Sequence, residues 1–423
     1  MINFQIYDGR PPSNNAIYNC ASFDAFLGLS LRESGKTLAQ FYESVVNYVN
    51  IHYRLFGSYK GELMRQPNSS TLDQLSGTFK EFLVGKNLTP LIPLFEIIHS
   101  AQGYGFLDEI GALYGLMWNT PRWLTSIVLR SSSEKCHKGL NNTLKQYEDF
   151  VLSEGFEKVW TNIVQEKQFD IVFNVDINYI DRTNNEVKIY YKDLGFNNYM
   201  QRCDFLIWTP PIPKLLEVSR VSVEEYNLFA PLINSNHVYT SSLVRASNTT
   251  RNNPIAYYYE PIANKTEHAV TVEMDLKGAF DYSDYGEMNL SQYNEKTAEP
   301  RILTVLQLGR HAASKTYLNG IIRRHYTGKF GKSTDIDIFN TIVWPYFYKW
   351  SPRELSRGNH WKVFALQGRQ RTWYAGASVC FESVKSVMEY NNLLLRQLGN
   401  VAVFRNLIVW KYYHLDHNIF SLN

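Results

Sequence analysis

The sequence predicts a mixed α/β protein built from two interleaved or adjacent domains, and three observations lead there. Its 423 residues exceed what one hydrophobic core usually serves. Apolar residues recur on a helical period through the first part of the chain, and from about residue 166 they switch to the alternation of strands. Near the end, a short apolar strand, a small-residue turn and an amphipathic helix follow one another from Arg371 to Asn392.

The elements follow in order. Residues 1–19 form a leading segment. Residues 20–165 read as helices: Leu38 to Val49 keeps apolar side chains on one face, Leu72 to Leu83 and Leu140 to Leu152 repeat the pattern, and Ser22 and Ser70 are candidate caps. Residues 166–221 turn β-rich, with strands around Asp170 to Asp181 and Glu186 to Tyr191, and end at Pro210-Pro-Ile-Pro. From 222 to 343 the strands are Thr-, Val- and Tyr-rich, beginning at His237, Ile255, Ala269 and Arg301, and suggest a sheet flooring a cavity. Asp281 to Pro300, polar and rich in Tyr and Asn, reads as a long loop. Residues 344–400 contain the strand, turn and helix, the helix running from Ser383 to about Leu398 and stopping at Gly399; 401–423 form a tail.

Composition narrows the function. A net charge of +3 is too small to argue for nucleic acid, and Arg301, Arg310, Arg323 and Arg324 form only a loose, solvated group. Cys20, Cys136, Cys203 and Cys380 lack metal or disulfide-scaffold spacing. The chain as given has no secretory leader, and its most apolar C-terminal run, Val401 to Trp410, is far short of the ~20 residues of a membrane span. Six Asn-x-Ser/Thr sequons, at Asn68, Asn87, Asn141, Asn248, Asn264 and Asn289, leave the compartment open. With 29 Tyr and 24 Phe, the chain can build an aromatic-walled pocket for a small molecule, although packing is the commoner use of such residues. Trp344, Tyr346 and Trp373 are the candidates for that wall.

The segment from Arg371 carries the most chemistry. A strand that delivers a helix N-terminus behind small residues aims free N–H groups and the positive end of a helix dipole at open space, a cradle for an anion or a carbonyl. An ordinary strand-to-helix packing turn has the same pattern. Together with Asp170-Ile-Val-Phe-Asn-Val-Asp-Ile and Cys203-Asp-Phe-Leu-Ile-Trp-Thr-Pro-Pro, and with Trp344-Pro-Tyr-Phe before it, this segment resembles the flavin-containing amine oxidase superfamily.

The resemblance implies an incomplete FAD-binding, Rossmann-like domain interleaved with an α+β substrate domain. The stretches 166–221 and 344–400 would belong to the former. It further implies FAD as cofactor and hydride transfer from a C–N or C–C bond of a small substrate, with dioxygen or another acceptor reoxidising the flavin. Ile177 would meet the adenine, and Thr209 and Pro210 would end a strand beneath the ribityl chain. Gly376 and Ser378 would form the turn, Ser378 standing where many relatives carry an acid for a ribityl hydroxyl. Phe381, Glu382, Ser383 and Val384 would start the helix that points N–H groups at the isoalloxazine. An acid such as Glu382 is favourable in a first helical turn with or without a ligand.

One expected part is missing. No Gly-x-Gly-x-x-Gly follows an opening strand; the nearest match, Gly103-Tyr-Gly-Phe-Leu-Asp, lacks the third glycine and reads as a turn of the substrate region. The alternative to an oxidoreductase is therefore a truncated, non-catalytic remnant or a small-ligand binding module. Catalytic residues, substrate and oligomeric state are not legible.

Overall fold

The computed structural model describes residues 4–7, 21–57, 64–131, 155–183, 185–233, 235, 237–247, 255–275 and 301–398. Outside these lie most of the leading segment, Leu140 to Leu152, the loop from Asp281 to Pro300, Cys20, Cys136, the sequons at Asn141, Asn248 and Asn289, and the tail 401–423.

Helices dominate the first third. Leu38–Phe56 starts where the Thr37 hydroxyl accepts from the Gln40 N–H and the Gln40 side chain accepts from the Thr37 N–H, a reciprocal cap of about 1 kcal/mol. The single helix expected over Leu72 to Leu83 is two, Ser69–Gln74 and Phe79–Gly85. Thr78 forms a second reciprocal cap with Glu81 and starts a new helix, so apolar periodicity runs across a break it cannot detect. Asn68, not Ser70, caps the earlier helix, and Ser22 lies inside Ala21–Ser34. Ile92–Ala101 runs through the main core, with Leu94, Phe95 and Ile97 fully buried. No helix among the described residues is long and apolar enough to cross a membrane.

Among the described residues, eleven strands form three sheets. The largest has the order β1 (Phe4–Tyr7), β7 (Ile255–Tyr258), β8 (Val270–Asp275), β9 (Arg301–Gly309), β6 (His237–Ala246), β10 (Ile336–Tyr346). It is antiparallel except for the β1–β7 pair, and all four strands expected between 222 and 343 lie in it. Along β6 burial alternates, as one face against a core requires. A meander of β2 (Asp176–Arg182), β3 (Val187–Lys192) and β4 (Asn198–Cys203) forms the second sheet. The strand expected from Asp170 begins only at Asp176.

The third sheet is a pair. β5 (Leu206–Trp208) runs parallel to β11 (Thr372–Tyr374), with Leu206 opposite Thr372 and Trp208 opposite Tyr374. Segments more than 160 residues apart in sequence thus share one sheet. A buried network fastens this pair to the meander. Arg182 of β2 grips both carboxylate oxygens of Glu225, at 2.8 and 3.1 Å, and reaches the Ser219 hydroxyl at 3.0 Å, the Thr372 hydroxyl at 3.3 Å and the Tyr374 hydroxyl at 3.1 Å. Its guanidinium is planar and bidentate, so one side chain aligns three elements at once.

Candidate functional site

The expected turn is built by a close backbone approach. Gly376 has φ +89°, a left-handed conformation that glycine adopts without cost, and a Cβ there would stand 2.5 Å from the Thr209 carbonyl oxygen. This contact brings the end of β11 against the end of β5, where Thr209 and Pro210 leave the sheet. Ser378 completes the joint: its buried hydroxyl accepts from the Ile212 N–H at 3.1 Å. The side chain expected to meet a ribityl hydroxyl therefore spends one of its two acceptor lone pairs on holding two turns together.

Beyond the turn the chain builds a wall. Phe381 is buried, with Trp118 stacked on it at 5.7 Å and 11° and Tyr104 edge-on at 5.0 Å. Tyr104 donates from its hydroxyl to the Glu382 carbonyl oxygen at 2.7 Å and stacks on Tyr346 at 6.2 Å. Helix Val384–Leu398 then begins, with Ser383 as its cap: the hydroxyl accepts from the Ser386 N–H at 3.1 Å. With that donor taken, the N–H groups of Val384 and Lys385 are left without an intrahelical acceptor.

These surfaces line a cavity of about 690 Å³ that is open to solvent. Tyr104, Met117, Trp118, Trp123, Trp160 and Tyr346 wall it on one side, and Ala377, Glu382, Ser383 and Val384 on the helix side. The Glu382 carboxyl is half-buried; burial pushes it up to about 7, although a hydrogen bond from the Phe347 N–H pulls the other way. It therefore exchanges a proton near neutrality at the mouth of a helix dipole.

A charged cluster backs the aromatic wall. His237 lies opposite Tyr346 in the β6–β10 ladder. The buried Lys349 amine donates to the Ser235 carbonyl oxygen at 3.0 Å and lies 2.6 Å from His237 Nδ1. With Nδ1 accepting, the imidazole proton sits on Nε2 and points at Glu109 Oε2, 2.9 Å away. Arg310 joins Glu109 to Glu267. Burial lowers the Lys349 amine to about 7. Burial alone would raise the Glu109 carboxyl, but hydrogen bonds from His237 and Arg310 outweigh it and hold the group at about 2.

Of the residues singled out from sequence, Thr209, Pro210, Gly376 and Ser378 meet at one joint, and Glu382, Ser383, Val384 and Tyr346 line one cavity. Phe381 stands behind its wall. Three lie elsewhere: Ile177 pairs with Tyr191 in the meander, Trp344 is exposed on β10, and Trp373 packs in a small core with Leu398 and Phe205. Trp344 and Tyr346, two residues apart, would share a face of a regular strand, yet Trp344 is exposed while Tyr346, the last residue of β10, lines the cavity. Sequence reading missed Tyr104, Trp118, Trp123 and Trp160. The one available signal was the glycine pair around Tyr104: Gly103 and Gly105 have φ +80° and +98°, and a Cβ on them would strike Tyr239 and Tyr346, or His237.

Among solved structures, the fold is similar to that in the crystal structure of a CLA-producing fatty acid isomerase from P. acnes. The TM-score is 0.64 at 18% sequence identity, over 90% of this chain and 85% of that one. No family model matches the sequence, and no curated protein does. The likeness is one of fold: a mixed α/β chain arranged as that isomerase is.

Proposed function

We propose that the chain is a FAD-dependent oxidoreductase of the amine-oxidase type, and that the cavity takes the isoalloxazine together with a small apolar substrate. One observation carries this reading. Two strand ends distant in sequence, β5 and β11, converge on a turn and helix start that face a single aromatic cavity. The fold likeness to the P. acnes isomerase supports it.

The residues fit one end of the cofactor. Free N–H groups of Val384 and Lys385 suit an electron-rich carbonyl edge, and 690 Å³ between flat aromatic rings admits a fused ring system. The diphosphate end finds no glycine loop in this sequence. When bound, the flavin would supply hydride acceptance. The chain's own part is to orient the ring through the helix start, to exclude water with Tyr104, Trp118 and Tyr346, and to hold or release a proton at Glu382.

Purified protein incubated with FAD tests this: flavin absorbance that stays with the protein through gel filtration, and quenched flavin fluorescence, are expected. A colourless protein that cannot be reconstituted overturns the reading. The missing glycine loop favours a second reading, a non-catalytic remnant or small-ligand module, because two phosphate charges would be desolvated with few partners. Binding of apolar ligands to the cavity without any response to FAD would select it.

A further inference from the structure

The β2–β3–β4 meander stands away from the rest of the protein. At its root Ile180, Arg182 and Val187 are buried. Farther out, Asp176 to Tyr179 in β2 and Asn198 to Arg202 in β4 are exposed one after another, so both faces of the sheet are clear. Register fixes what lies at the far end. Asp176 opposes Lys192, and Lys192 opposes Asn198, so the chain entering β2 and the β3–β4 turn share that end. The entering chain carries Val172 and Phe173 and the turn carries Leu194 and Phe196, exposed by 64, 73, 77 and 82%. Among the described large apolar residues, only Val223 is otherwise more than 60% exposed. A monomer seldom gathers such side chains in water unless something covers them.

The turn is built to display them. Phe196 has φ +60°, a left-handed conformation that a bulky residue adopts at a cost. Hydrogen bonds hold it there: the Phe196 N–H donates to the Asp193 carbonyl oxygen at 3.0 Å, and the Asp193 carboxylate accepts from the Asn197 N–H at 2.9 Å and from the Tyr199 hydroxyl at 3.0 Å. Directly behind the Lys192 and Asn198 pair, Tyr191 and Tyr199 oppose each other and stack at 5.4 Å and 18°.

We propose that this tip docks into the surface of a zwitterionic lipid bilayer. Its polarity is graded as the bilayer's own: four apolar side chains lead, Lys192 and Asp176 follow, and then comes a tyrosine pair, the residue type that settles at headgroup level. Lys192 complements a lipid phosphate, and Asp176 and Asp193 complement a choline ammonium. With both signs at the rim there is no single-sign field to select an anionic leaflet. A second copy of the chain is the poorer occupant, since each partner of a stable dimer buries roughly 800 Å² and the tip offers two short loops. The inference does not depend on the flavin reading.

The test uses the full chain and phosphatidylcholine vesicles. Flotation measures the bound fraction, and amide exchange is read over residues 171–174 and 193–198 with and without lipid. We expect the chain to float with the vesicles, both stretches to exchange more slowly only when lipid is present, and binding to persist from about 0.1 to about 0.5 M salt. L194S/F196S should lower the partition coefficient by at least about tenfold, the scale of burying two large apolar side chains. V223S, which removes an equally exposed apolar side chain elsewhere, should leave it unchanged, with circular dichroism verifying that both variants are folded. Four outcomes overturn the proposal: folded chain that does not float, binding untouched by L194S/F196S, binding confined to phosphatidylserine vesicles and abolished by salt, or a lipid-free oligomer in sedimentation that L194S/F196S dissociates, which would assign the tip to a second copy.

Discussion

The six-stranded sheet and the β5–β11 pair solve the same problem to different degrees. In the first, β6 lies between β9 and β10, its side chains alternate between buried and half-buried, and Val244, Leu303 and Val305 close a core beneath helix Lys315–Phe330. In the second, three residues a strand carry the sheet, neither outer edge is paired among the described residues, and order comes from a buried ion pair and a glycine contact. A long ladder holds itself by repetition, so no single residue matters much. A short one depends on a few individual contacts, so the loss of one partner is felt.

The largest break in this comparison should come from Arg182. R182M leaves Glu225 buried without its partner, and we expect a loss of about 3–5 kcal/mol by urea denaturation. Adding E225L should restore most of it, since a buried pair is often replaceable by apolar packing. If R182M alone is neutral, the clamp is dispensable. Next is G376A, which forces a Cβ into the Thr209 carbonyl from a left-handed backbone. About 1–3 kcal/mol should be lost, with proteolysis between residues 375 and 384 increased.

A third prediction uses pH. The Glu382 carboxyl is raised in the fold, so the native state binds more protons than the unfolded chain between the ordinary carboxylate range and about 7; stability falls as pH rises through that window. The Lys349 amine is lowered to about 7, so its contribution rises with pH from about 7 toward the ordinary lysine range. E382Q should flatten the acid-side slope and K349M the alkaline-side one, each by about 1–3 kcal/mol across its window in denaturation curves. Parallel wild-type and variant profiles would show that neither group is perturbed. The smallest effect is expected at Phe196: F196S should change stability by no more than about 0.5 kcal/mol while lowering the binding of a hydrophobic dye. A larger loss would mean that the loop tip is packed.

Much of the sheet architecture was legible because period and β-branched content report strands directly: β6, β7, β8 and β9 fall where the alternation placed them. The strand-to-helix turn was legible through its small residues, and Gly376 has the conformation that only a glycine there makes easy. The break at Thr78 was hidden because its cap hydrogen bonds do not disturb the apolar rhythm. Lys349 stood out only as a polar residue among aromatics, too isolated to assign. Tyr104 and Trp118 were hidden for a different reason. They reach the site from separate helices and loops, and no local pattern distinguishes an aromatic that faces a cavity from one that fills a core.

Phe347 is buried behind the cavity wall, against Tyr104 and Phe381. Its N–H holds Glu382 on one side, and the Lys349 amine lies 5.6 Å from its ring centre on the other. Glu382 in the lining and Lys349 behind it both change charge close to neutrality, so the site is electrically soft: a ligand arriving with a charge would alter how many protons the protein keeps. Its binding heat would then depend on the buffer that accepts or donates those protons, a calorimetric signature obtainable before any reaction is identified.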